Sequence, residues 1–161
     1  MSAKTLVRKK VGLFAAAVIV ALGTTACFQN TGNPPTDSLK LGIFNAMNAD
    51  RQHNGLAPLT YSPKLDNLAG TWADHMAAVR SMYHQDLAYW LSQPEYSAFH
   101  TLGENLLVGP AGLTADQMET AWRNSPAHWA NITNRAFNVV GIGWTKSADG
   151  RIWVCVDFGG I

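Results

Sequence analysis

Cysteine is nearly absent: the 161 residues contain only Cys27 and Cys155. That excludes a disulfide-stapled scaffold and leaves room for at most one bridge, Cys27 to Cys155. Charge is also sparse, at 14% of residues. Beyond residue 26 there are eight Lys and Arg against eleven Asp and Glu, so the remainder carries about −3. No basic cluster is left there, which argues against nucleic acid as a partner. No apolar run reaches the roughly 20 residues a spanning helix needs. A short ligand pair such as His-x-x-x-His is missing too, as are internal repeats and low-complexity tracts.

The N-terminus has the grammar of export. Lys4, Arg8, Lys9 and Lys10 precede the apolar stretch Val11 to Leu22, which is followed by Thr24-Thr25-Ala26-Cys27. A charged start, a core of about a dozen apolar residues and a small-residue exit predict a signal peptide over residues 1–26. Cys27 stands where a bacterial lipoprotein would be cut and lipidated, giving a membrane-anchored protein. Thr24 occupies the position where such sites usually carry Leu, so an ordinary cleavage site and free secretion stay open. Two or more acyl chains would hold the protein firmly to a membrane. Residues 27–37, rich in Asn, Gly, Pro and Thr, predict a flexible linker. Residues 38–161 are then one domain, long enough for its own core and expected to be a monomer.

Within that domain helices come first. Leu39, Ile43, Ala46 and Met47 recur at helical spacing up to Asn54-Gly55. Ser62-Pro63 opens a second helix with the stripe Leu65, Leu68, Ala69, Trp72, Ala73 and Met76. Thr114 and Gln117 form a capping box before Met118, Ala121 and Trp122. Ser125-Pro126 begins a further short helix through Ile132. Strands come late: Asn138 to Lys146 and Arg151 to Phe158 flank the hairpin signal Asp149-Gly150, and Leu106 to Val108 predicts another, ending at Gly109-Pro110. The expected class is α+β, with a small antiparallel sheet covered by helices. Residues 85–102 predict a long loop with a helical piece. Its Tyr89, Trp90, Tyr96 and Phe99 suit a lid, a docking surface or a satellite cluster.

Three polar residues near predicted element ends stand out: His84, Glu104 and His128. Two imidazoles and a carboxylate are what a zinc ion or a general-base water requires. Their separations, 20 and 24 residues, do not by themselves join them. Cys155, in an apolar strand, reads as a small buried hydrophobe.

Gly103-Glu104-Asn105-Leu106, Ala121-Trp122-Arg123-Asn124-Ser125-Pro126-Ala127-His128-Trp129-Ala130-Asn131-Ile132, Val140-Gly141-Ile142-Gly143-Trp144 and Trp153 to Gly159 follow one another in this chain. Together with Asn48 to Arg51, Gly55 to Leu59 and the Trp72 helix, this order resembles the CAP superfamily of cysteine-rich secretory, antigen 5 and pathogenesis-related proteins, in its short bacterial SCP-like branch. The resemblance runs from Leu39 to Gly159. It implies an α-β-α sandwich with a central antiparallel sheet, and one cleft uniting His84, Glu104 and His128. It also implies Ser125, Trp129 and Asn131 near that cleft, with His100 as a further lining candidate. Longer relatives carry a second Glu where this chain has Ser125, and Glu119 is on the wrong side of its helix to replace it.

Three readings follow. The first is a binding module holding a divalent metal such as zinc, or a lipid or small apolar ligand, without turnover. The second is a metal-assisted hydrolase using Glu104, His84 and His128. The third is a structural envelope protein whose cleft is a relic. Leaving Glu104 as a ligand removes the general base, and using it as the base leaves a metal with only two protein ligands, so the first reading is preferred.

Overall fold

The computed structural model describes residues 33–161. The targeting segment, Cys27 and most of the linker lie outside the described residues, as does one half of the Cys27–Cys155 pairing.

Helix α1 spans Ser38–His53, capped by the Asp37 carboxylate, which accepts from the Leu39 and Lys40 amides. A short strand β1, Thr60–Tyr61, leads into α2, Pro63–Val79, with Ser62 as its cap. Then come α3, Leu87–Ser92, a 3-10 turn at Pro94–Tyr96, and strand β2, Thr101–Pro110. The predicted capping box opens α4, Ala115–Arg123, and α5 covers Pro126–Ile132. The hairpin of β3, Val139–Lys146, and β4, Arg151–Gly160, completes the domain.

The sheet order is β1-β3-β4-β2. The β2·β4 and β3·β4 pairs are antiparallel, as expected. The sheet as a whole is mixed, because β1 adds to β3 in parallel through Thr60 and Tyr61. Two residues carry too little pattern to register as a strand in sequence. β2 is also longer than Leu106 to Val108: Gly103-Glu104-Asn105 lies inside it, matched against the full length of β4.

Strand alternation sorts the two faces. Val140, Ile142, Val154, Val156 and Phe158 join Ile43, Phe44 and Met47 of α1, Met118 and Trp122 of α4, and Ile132 of α5 in the main core. The opposite face meets α2: Ala69, Ala73 and Met76 pack on Leu106, Trp153 and Cys155. Tyr96 and Phe99 are buried against Leu65, Leu68 and Val139, with Trp90 partly covered. The segment after α3 is therefore a satellite cluster, with Tyr89 left exposed. Two helical layers enclose one sheet, and β2 forms one of its edges.

Candidate functional site

β2 builds the site. Glu104 and Asp157 are direct neighbours on β2 and β4, and Cys155 lies two residues along β4 on the same face. Against this row comes the segment after α2. The Trp72 indole donates to the Tyr83 carbonyl at 2.9 Å and stacks on His75, while His75 bonds the Tyr83 hydroxyl. These contacts set the path of Tyr83 and deliver His84 and Gln85 to the sheet.

Glu104 is 4% exposed and its carboxylate is fully engaged. Oε1 faces His84 Nδ1 at 2.6 Å and accepts from the Gln85 amide at 3.1 Å. Oε2 accepts from Gln85 Nε2 at 3.1 Å and from the Cys155 thiol at 3.4 Å. Gln85 Nε2 also lies 3.1 Å from both Asp157 oxygens. One side-chain amide thus bridges two buried acids, while its own Oε1 has no partner among the described residues. Burial, then the neighbouring Glu104, pushes the Asp157 carboxyl well above the usual range, against the lowering effect of the Gln85 and Cys155 hydrogen bonds. Burial, then Asp157 and Glu104, likewise raises the Cys155 thiol. The ligand atoms of Glu104, Cys155 and Asp157 lie within 4.8 Å of one another, but the Gln85 amide fills the space between the two acids.

On the other side of β2, α5 is tied down by asparagines. Asn105 Nδ2 donates to the His128 carbonyl at 3.1 Å, and Asn131 Nδ2 to the Glu104 carbonyl at 3.0 Å and Asn105 Oδ1 at 2.9 Å. His128 is half-buried. Its pKa is lowered, chiefly by burial, and its side chain lines a groove with Met82 and Leu106. The structure thus joins His84 to Glu104 directly, and ties α5, at the His128 carbonyl and at Asn131, to the Glu104 backbone and the Asn105 side chain on β2.

Ser125 caps α5 and shares a groove with His128. Trp129 points elsewhere, into a recess with Asp50, His53 and Arg123, and packs on the main core. His100 is exposed at the start of β2, its amide bonded to the Gly160 carbonyl. Glu119 is 1% exposed on the α1 side of α4. It faces Asp50, which Arg123 grips through Nε and Nη2 at 2.6–3.1 Å. As a carboxylate Glu119 has no donor for either oxygen. Burial, and then Asp50, raise its pKa to about 8, so at neutral pH it is an acid donating to Asp50.

Sequence reasoning missed Gln85 and Asp157. Asp157 alternates on β4 with the same parity as Cys155, but pairing it with Glu104 needs the β2·β4 register, which no local pattern supplies.

Residues 44–156 match the model of the cysteine-rich secretory protein family, CAP. YkwD of Bacillus subtilis is 33% identical over 115 residues, which is 69% of this chain. The chain spans only 43% of that relative's length. Among solved structures, an outer surface protein of Borrelia burgdorferi superposes with a TM-score of 0.62 at 22% identity, covering 73% of this chain and 89% of its own. An extracellular protein containing an SCP domain from Bacillus anthracis gives 0.59 at 21%, covering 81% and 45%. At those identities the likeness is one of fold.

Proposed function

Since the chain belongs to the cysteine-rich secretory protein (CAP) family, we propose that it is an exported binding module whose His84 and His128 hold a divalent metal, zinc above all. The observation that carries this is the contact of His84 Nδ1 with the buried Glu104 at 2.6 Å. It fixes the ring so that Nε2 is the free nitrogen, on a side chain 63% exposed. A carboxylate behind a histidine is how metal-ligating imidazoles are oriented. His128 supplies the second nitrogen, and its lowered pKa keeps it neutral and ready to ligate. Water would complete the shell, which suits a module of modest affinity.

Turnover is less well served. Glu104 is saturated by its neighbours, and Cys155 is 0% exposed. Among the described residues no hydroxyl or thiol is hydrogen-bonded to the ring of either histidine.

Zinc titration by calorimetry is the test. Micromolar binding is expected in the wild type and none in His84→Ala or His128→Ala. Glu104→Gln, which keeps the shape but not the charge, should weaken binding about 10–100-fold. Metal and proton compete for the imidazole nitrogens, so affinity should rise with pH. Absence of binding in the wild type would sink the metal reading.

The same proposal places the protein outside the cytoplasm, tethered through Cys27 or released. The charged start and apolar run of residues 1–26 support export, and the Borrelia burgdorferi and Bacillus anthracis proteins are described as outer-surface and extracellular. In a bacterial host, Cys27→Ser should move the protein from the membrane fraction to the medium. Equal membrane retention of both forms would exclude the lipid anchor.

A further inference from the structure

Alongside His128 runs an apolar groove of about 400 Å³ whose floor is the free edge of β2. Its walls are Met82 on one side and Leu113, Ala121 and Trp122 on the other. The register decides which backbone groups face it. Thr60 and Ser62 donate to the carbonyls of Asn138 and Val140, so the even residues of β3 point to β1 and the odd ones to β4. Carried through the pairs Gly141 with Asp157 and Gly103 with Phe158, this leaves Glu104, Leu106 and Val108 with N–H and C=O turned away from the ladder.

Two of these carbonyls are independently seen to point outward, because they are capped. Asn131 donates to Glu104 and the Trp122 indole to Leu106, both at 3.0 Å. The series stops at Val108. Neither its N–H nor its C=O has a partner outside the ladder among the described residues, and the residue is only half-buried. The next outward position is Pro110, which has no N–H to leave unpaired.

We propose that this groove binds an extended peptide, which pairs as a short added strand with Val108 and the Leu106 N–H and leads toward His128. The inference deepens the binding-module reading and rests on it, but it does not require a metal. An acyl chain would fit the apolar walls. It would also bury the Val108 amide and carbonyl unpaired, which costs each of them its hydrogen bonds to water. A peptide backbone satisfies both and places alternate side chains against Met82 and Ala121.

The test is fluorescence anisotropy on the full domain, in EDTA so that zinc plays no part. The probe is a labelled peptide of alternating Thr and Val, capped at both ends. Val108→Pro removes the outward N–H, as Pro110 already does naturally, and also replaces a side chain that packs on the Trp153 cluster, so its thermal stability is measured alongside. Binding is expected in the wild type and should fall at least about tenfold in Val108→Pro. N-methylation of alternate peptide amides, in the frame that faces β2, should abolish it on unaltered protein, which keeps the test valid if the proline variant folds poorly. A dansylated undecanoic acid serves as the acyl probe. No peptide binding in the wild type, equal binding of the N-methylated peptide, or binding of the acyl probe alone would overturn the proposal. Zinc binding without peptide binding would remove this inference and leave the metal site intact.

Discussion

Gly143→Ala is expected to destabilise the domain by about 3 kcal/mol and to weaken zinc binding at a site it does not touch. A Cβ on Gly143 would lie 2.1 Å from the Ala69 carbonyl carbon and from the Gly70 nitrogen. These are backbone atoms of α2, so no side chain can swing aside. The helix has to rise by more than about 1 Å to restore van der Waals contact. Gly141 makes the same demand one step along β3, with 2.0 Å to Leu65 and Asp66 backbone. Raising α2 opens the layer of Ala69, Ala73 and Met76 over Cys155 and Trp153. It also carries away Trp72, whose indole bond to Tyr83 guides His84 to Glu104. Gly70→Ala in the same helix is the control, because nothing lies within 4 Å of its Cβ. There the smaller backbone entropy of alanine should stabilise by about 0.5–1 kcal/mol. Urea melts of the two variants should therefore shift in opposite directions. A Gly143→Ala melt that matches wild type would show that α2 does not rest on β3 as described.

The elements that sequence reading located best are those with local signals. Ser62-Pro63, the Thr114 to Gln117 box and Asp149-Gly150 each fix an end by chemistry contained within a few residues, and each stands where expected. β1 and the full length of β2 were not legible, because their pairing partners are distant in sequence. The site divides in the same way. An ordered series of motifs nominates His84, Glu104 and His128, whereas spacing alone does not unite them; the His84 contact with Glu104 is the part that the structure shows. Gln85 is a polar residue with no pattern around it, and it becomes informative only when β2 and β4 set Glu104 beside Asp157. Trp129, a residue that suits either the cleft or the core, packs on the main core beside Asp50 and Arg123. A helix of only seven residues gives periodicity too little length to fix which face is inward.

Arg51→Lys is expected to be the most damaging conservative change, at about 3–5 kcal/mol. Arg51 is 2% exposed, and among the described residues no carboxylate balances it. Instead its guanidinium donates to four backbone carbonyls: Nε to Ala57 at 2.8 Å, Nη1 to Ile132 and Asn134 at 2.9 Å, and Nη2 to Phe137 at 3.0 Å. The planar fork spreads its donors over that span, and burial lowers its pKa without removing the charge. A lysine ammonium is a point with three donors and cannot reach acceptors held on opposite sides of the fork. At least one carbonyl would be left buried and unpaired, beside a charge that has lost its compensation. Three of the four acceptors lie between the end of α5 and the start of β3, so the clamp determines where α5, and with it His128, meets β2. Arg51→Met preserves the apolar stem and separates the causes. If the hydrogen bonds carry the effect, Met should also lose several kcal/mol in a urea melt, and the residual folded protein should bind zinc more weakly. A near-neutral Arg51→Met would assign the role of Arg51 to packing of its stem, and the position of His128 would then rest on the Asn105 and Asn131 bonds alone.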